Sequence, residues 1–229
     1  MIVQIYAATS VADALKMVNL GVDQIGFVAG DYGEVHGELT FNQARDIVDA
    51  IAGKASSSAL TMSTDITEIL RMATAVNPDI IHISTDTEAV DVAAMQQLRQ
   101  SLPDHILLMK AIHVTNAESI NDALRFVDVS DILLLDTKIE GMPGVGATGV
   151  THDWNISRQI IEQASRKVKV VLAGGLVPNN VAAAIEATHP WGVDSNTGTN
   201  LPNDPVAKDW VKIEAFVEQA KQASERIYE

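Results

Sequence analysis

No cysteine occurs anywhere in the chain, and that absence removes disulfides, thiolate metal ligands and a cysteine nucleophile or base together. Basic residues are scarce as well: 16 lysines and arginines stand against 30 aspartates and glutamates, a net charge of −14. A nucleic acid or an anionic membrane would meet repulsion over most of such a surface, so neither is expected as a partner. An anionic small substrate would need local backbone N–H groups to hold its charge against that field. Long apolar runs are missing too. No uninterrupted stretch approaches the roughly 18 residues of a membrane span, and MIVQIYAATS has no basic region ahead of an apolar one. A cytoplasmic location is therefore expected. No linker or low-complexity tract breaks the chain, so residues 1–229 read as one domain.

What is present is repetition. Apolar runs of four to eight residues alternate with amphipathic stretches of ten to fifteen, the pattern of βα units around a parallel sheet. Eight candidate strands fall at 2–6, 24–28, 57–62, 79–83, 106–112, 131–135, 168–172 and 192–194. Helices are expected after each. Ser10 caps the first, and Thr40 with Gln43 and Thr115 with Glu118 read as capping boxes. Other helices are expected to start near Asp65, Thr87, Asn155, Pro178 and Lys208. The turn after the first run, Tyr6-Ala7-Ala8-Thr9-Ser10, has none of the glycines of a doubly wound open sheet. The expected fold is an α/β (β/α)₈ TIM barrel, and its active site should lie at the C-terminal ends of the strands.

Two small, polar loops stand at those ends. Gly174-Gly175 follows the seventh candidate strand and Asn196-Thr197-Gly198 follows the eighth, the usual pair of phosphate-binding loops in such barrels. Glycine lets backbone N–H groups approach an anion closely; the alternative is that these glycines only make tight turns. Asp136, ending the sixth candidate strand, is a candidate general acid if the barrel mouth desolvates it, or else an ordinary loop-ordering aspartate.

These residues resemble a known family. L-A-G-G-L-V-P-N-N-V-A-A-A-I-E-A from Leu172 to Ala187 and P-W-G-V-D-S-N-T-G from Pro190 to Gly198 are similar to the C-terminal signature of phosphoribosylanthranilate isomerases. So are L-L-L-D-T from Leu133 to Thr137, G-A-T-G from Gly146 to Gly149, Asp153-Trp154 and Lys208-Asp209. The resemblance implies an isomerase of the aldose–ketose type, acting in tryptophan synthesis on a phosphorylated aminoaldose. Asp136 would protonate the furanose oxygen as the ring opens. Gly174, Gly175, Asn196, Thr197 and Gly198 would hold the phosphate. Asp194, Gly146, Thr148 and Gly149 would meet the rest of the substrate. It implies a phosphorylated small molecule as ligand, no cofactor, no metal, and a monomer or homodimer.

The first third of the chain departs from the pattern. Gln4-Ile5-Tyr6-Ala7 aligns with the family's lysine-isoleucine-cysteine-glycine, so Tyr6 stands where the cysteine base belongs. Tyr6 is either a replacement base or packing, and an unperturbed phenol near pKa 10 is a poor acceptor at neutral pH. The loop from Gly30 to Glu38 has no arginine or lysine for a substrate carboxylate and carries Asp31, Glu34 and Glu38 instead. The base is left open among Tyr6, His82 and Asp31; His82 reads equally as an ordinary buried histidine. Asp31, His36, His82 and His113 form at most a weak metal-ligand pattern. With these departures the chain is expected to isomerise, or perform a related proton transfer on, a phosphorylated sugar or sugar derivative. The alternatives are the family's own phosphoribosylanthranilate isomerase reaction with a replaced base, a catalytically silent barrel that binds a phosphometabolite, and an aldolase using Lys110 as a Schiff-base amine.

Overall fold

Eight parallel strands close on themselves in the computed structural model, which describes residues 1–30, 35–137 and 151–228. In chain order the strands are β1 (Ile2–Ile5), β2 (Gln24–Ala29), β3 (Glu38–Leu39), β4 (Ser56–Thr61), β5 (Ile80–Ile83), β6 (Leu107–Val114), β7 (Ile132–Thr137), β8 (Lys169–Leu172) and β9 (Gly192–Ser195). β3 is a two-residue stub beside β2 that the apolar pattern is too short to announce. The other eight make the barrel, closed where Gln4 of β1 stands opposite both Gln24 of β2 and Asp194 of β9.

The helices are α1 (Val11–Asn19), α2 (Phe41–Ile51), α3 (Ile66–Val76), α4 (Val92–Ser101), α5 (Glu118–Arg125), α6 (Trp154–Ala164), α7 (Val181–Thr188) and α8 (Trp210–Tyr228). Each is preceded by a barrel strand, as the sequence leads one to expect. A 3₁₀ turn at Thr197–Thr199 separates β9 from α8. Among the described residues, no helix is long and apolar enough to cross a membrane.

Local chemistry sets the helix starts. Ser10 Oγ accepts the Asp13 N–H, and the Thr40–Gln43 capping box forms in both directions. The Thr115–Glu118 box does not form. Asn116 takes the Glu118 N–H at 2.8 Å, and the Thr115 N–H goes to Ser119 Oγ at 3.1 Å, because a short side chain next in sequence closes a tighter turn. Likewise α4 starts after its cap Asp91 rather than near Thr87, and Pro178 lies in the turn ahead of α7 rather than in its first turn.

Successive strand residues point to opposite faces. One set, including Val3, Ile5, Ile25, Phe27, Ile81, Leu108, Leu133 and Val170, packs with helix residues such as Ala14, Ile47, Ile69, Leu98 and Phe216. The alternate set fills the barrel lumen, where Ile80, Met109, Ile132, Leu134, Val171 and Ala173 form a small apolar cluster on the β5–β8 side. Fully burying each such aliphatic side chain is worth about 1.5–3 kcal/mol.

Lys110 belongs to the outward set. It shares parity with Leu108 and Ile112, and its Nζ donates to the Thr85 carbonyl and lies 5.8 Å from the Phe126 ring centre. That corrects the aldolase reading, because a Schiff-base amine would have to face the lumen. Burial lowers the Lys110 pKa to about 7, against the opposing pull of Asp86 and Glu88. Between about 7 and the unfolded value of 10.5 the folded chain therefore binds fewer protons than the unfolded one, so this group adds stability as pH rises. In Lys110→Met the gain in urea midpoint between about pH 7 and about pH 9 should shrink. An unchanged gain would assign it to other groups.

Candidate active site

Polar side chains enter the lumen as well. Gln4, Tyr6, Ser58, His82 and Asp194 reach into it from β1, β4, β5 and β9, and all are buried. Asp136 joins them from the C-terminal end of β7. Its Oδ1 accepts the Thr137 N–H at 2.6 Å. Burial pushes the carboxyl up to about 7, against the lowering by that bond. Asp194 Oδ1 accepts from Gln4 Nε2 at 3.0 Å. Burial again raises this carboxyl to about 7; the Gln4 bond lowers it, the negative charge of Asp136 raises it, and the Lys208 cation lowers it. The charge of Asp136 is thus felt at Asp194.

Tyr6 crosses the lumen instead of standing open at the mouth. Its ring lies over Gly26, where an added Cβ would come within 2.5 Å of Cδ1. The phenol oxygen is 2.8 Å from Ser58 Oγ and 2.6 Å from His82 Nδ1, and the two rings meet edge to face at 5.4 Å. Burial holds the Tyr6 phenol well above its ordinary value, against the Ser58 bond. Burial, with the Lys110 charge second, lowers His82 to about 3. At neutral pH both groups are uncharged, and neither is poised to take a proton from carbon.

The residue after Tyr6 is strained. Ala7 adopts φ +68°, a left-handed conformation that glycine enters freely and alanine does not. The alignment of the first strand has glycine at this position, so the turn is kept while its natural residue is lost.

Between the ends of β7 and β1, the β8–α7 and β9–α8 loops are clamped to each other. Gly174 and Gly175 both have positive φ, and a Cβ on Gly174 would lie 2.5 Å from Thr137 Oγ1. A Cβ on Gly198 would collide with the Leu176 carbonyl oxygen, to which Ser195 Oγ donates at 2.8 Å. Asn180 braces the first loop, donating to the Gly175 carbonyl at 3.1 Å and accepting the Val177 N–H at 2.8 Å. Lys208 braces the second, its Nζ donating to the carbonyl and side-chain oxygens of Asn196 at 3.2 and 3.1 Å and to Asn200 Oδ1. Burial lowers the Lys208 pKa to about 8, opposed by Asp194 and Asp13.

Of the residues singled out from sequence, Asp136, Asp194, Tyr6 and His82 meet in the lumen, and Gly174, Gly175, Asn196, Thr197 and Gly198 lie on these loops. Asp31, Gly146, Thr148 and Gly149 lie outside the described residues. Among the described residues no group of three or more histidine, aspartate or glutamate side chains could hold a metal, and His113 is instead engaged with Asp86 at 2.8 Å. Sequence reasoning passed over Gln4, Ser58 and His152. Gln4 carried a signal, a polar residue inside an apolar run. His152 links Thr137 Oγ1 (3.1 Å) to Ser157 Oγ (2.6 Å), tying the end of β7 to α6, and nothing in its sequence context marks it.

Comparison with known proteins places this geometry. A family model described as N-(5'-phosphoribosyl)anthranilate isomerase matches residues 3–219. N-(5'-phosphoribosyl)anthranilate isomerase 2 of Methanosarcina mazei is 33% identical over 211 residues, covering 92% of this chain and 90% of its own. The corresponding protein of Methanocella arvoryzae is 32% identical, covering 96% and 97%. The crystal structure of phosphoribosyl anthranilate isomerase from Thermotoga maritima superposes with TM-score 0.76 at 28% identity, covering 97% of this chain and all of that one. A phosphoribosyl anthranilate isomerase in complex with reduced 1-(o-carboxyphenylamino)-1-deoxyribulose 5-phosphate gives 0.73 at 26%, with the same coverage.

The left-handed Ala7 makes a simple prediction. Ala7→Gly should raise the thermal midpoint, by relief of about 1 kcal/mol of strain less a few tenths for the freer unfolded chain. A lower midpoint would show that the Ala7 methyl group contributes more by packing than its backbone loses.

Proposed function

The chain belongs to the N-(5'-phosphoribosyl)anthranilate isomerase family, and from that premise we propose that it converts a phosphorylated aminoaldose into the corresponding aminoketose by acid/base catalysis. The observation that carries this reading is Asp136: a buried carboxyl at the lumen end of β7, with its pKa raised to about 7, whose charge is felt by a second carboxyl and whose neighbour Thr137 lies against the first of two glycine loops. A carboxyl that keeps its proton near neutrality can deliver it to a ring oxygen. Protonation there lets the C1–O bond break as the amine lone pair forms a C1=N bond. Gly174, Gly175, Asn196, Thr197 and Gly198 are read as the phosphate cradle, with their backbone N–H groups as donors. Lys208 supports that cradle by fixing Asn196. Asp194, Gly146, Thr148 and Gly149 are read as substrate contacts.

The first substrate to test is phosphoribosylanthranilate, which the relatives' names carry. Residues 17–44 contain no arginine or lysine, which favours, as a second reading, a phosphorylated aminoaldose without the anthranilate carboxylate. The partner on either reading is a phosphorylated small molecule. The Thermotoga maritima protein is known as a dimer and as monomers generated from it, and we infer a monomer or homodimer here.

Two variants test the site. Asp136→Asn should lower kcat/KM by about 100-fold or more, and the wild-type rate should fall as pH rises through about 7, where the acid loses its proton. A loss below tenfold would remove Asp136 as the acid. Gly198→Ala should push the Leu176 carbonyl away and raise KM about tenfold or more, with a smaller change in kcat; an unchanged KM would move the phosphate elsewhere. Tight binding of phosphorylated aminosugars with no turnover of any would instead make this a binding barrel.

A further inference from the structure

Resting on the isomerase reading, we propose that Asp194 is the base that removes the C2 proton, replacing the cysteine that the family motif has at the position of Tyr6. After the ring opens, an aminoaldose must lose the hydrogen on C2, and some group near the end of β1 has to accept it. Among the described residues facing that sector the choice is short. Tyr6 is a buried phenol held by Ser58 and His82. His82 gives Nδ1 to that phenol, and although its Nε2 is unpartnered, burial and then the Lys110 charge lower its pKa to about 3, a feeble base. His113 is paired with Asp86, and Lys110 faces the helices. Lys208 holds Asn196 and Asn200.

Asp194 is on the adjoining strand, in register with Gln4, and the Tyr6 N–H donates to the carbonyl of the next residue, Ser195, at 3.0 Å. Its carboxylate therefore sits beside the position where the motif has the thiol. Among the described residues four groups face it: Gln4 from β1, Tyr6 just after that strand, Asp136 from β7, and Lys208 from beyond the 3₁₀ turn. The Gln4 N–H bond and the Lys208 cation both favour its ionised form. Among the described residues, Asp136 accepts the Thr137 N–H at 2.6 Å. On the geometry, Asp194, which has the Gln4 amide as donor and the Lys208 ammonium facing it, is read as the carboxylate, and Asp136, at the end of β7, as the acid.

A second substitution fits the same exchange. Where the motif has lysine, this chain has Gln4. A lysine ammonium against Asp194 would tie the carboxylate into an ion pair and make it a feeble base. The neutral amide of Gln4 orients the same oxygen and leaves its basicity high. The loss of the thiol and the loss of the lysine are thus read as one change.

The proton traffic closes. Asp136 gives its proton to the ring oxygen and becomes a carboxylate; Asp194 takes the C2 proton, and the C–H electron pair forms C1=C2 while the C1=N electrons return to nitrogen. Asp194 then returns its proton to C1, and Asp136 takes the proton from the C2 hydroxyl as C2=O forms. Both carboxyls end as they began.

The test begins with wild-type turnover of phosphoribosylanthranilate and of a phosphorylated aminoaldose lacking the carboxylate. No turnover of either would overturn the isomerase reading and this proposal with it. With turnover in hand, Asp194→Asn should lower kcat about 100-fold or more, and Tyr6→Cys in that background should restore at least tenfold of it, whereas Tyr6→Cys should restore nothing to Asp136→Asn. Less than a tenfold loss in Asp194→Asn would overturn the proposal and leave the reading standing, with Asp31 as the remaining candidate. If the double variant does not fold, deuterium at C2 of the substrate decides. Its isotope effect on kcat should grow in Asp194→Asn relative to wild type, and an unchanged or smaller effect would assign Asp194 to substrate positioning only.

Discussion

The closure of the barrel at β1 is the constraint on which the site depends. A strand of four residues pairs with β2 on one side and β9 on the other, and the parity imposed by that pairing turns Gln4 and Tyr6 inward together. Gln4 meets Asp194 because the register puts them opposite each other. Tyr6 can cross the lumen only because the facing residue on β2 is Gly26, whose missing side chain leaves room for the ring. The phenol then fixes Ser58 and His82. Slipping β1 by one residue would reverse every one of these contacts. The proposed chemistry at the mouth therefore rests on a four-residue strand whose apolar run is broken only by Gln4.

Much of this was legible before any coordinates, and the reasons differ by residue. The barrel followed from counting apolar runs. Asp136 was visible because a charge ending an apolar run has few roles, and Gly174 and Gly198 because glycine in a βα turn has few as well. Tyr6 was not. A tyrosine after a strand has the same signature whether it opens to solvent or lies across a lumen, and the deciding residue, Gly26, is twenty positions away. The direction of Lys110 was hidden for another reason: in a parallel strand buried on both faces the apolar pattern is continuous and loses the alternation that would reveal its parity. The Thr115–Glu118 cap failed because a competitor, Asn116, sat one residue closer. His152, paired with Thr137 and Ser157 across the end of β7, depends on tertiary distance alone.

Burial acts in opposite senses on the acids and bases of this molecule, and their effects converge. It raises Asp136 and Asp194 to about 7 and lowers Lys110 to about 7 and Lys208 to about 8. In the unfolded chain the carboxyls ionise near 3.8. From there up to about 7 the folded state holds more protons, so their contribution to stability falls as pH rises. The two lysines do the reverse, recovering stability from about 7 or 8 up to 10.5. These four groups together therefore lower the stability of the fold most close to neutrality. A phosphorylated substrate that engages the carboxyls and the loop held by Lys208 would offset that cost on binding, since a ligand held only by the native state stabilises it. The same desolvation that costs stability keeps the two carboxyls protonated to higher pH than free ones, which is what the proposed proton transfer asks of its acid.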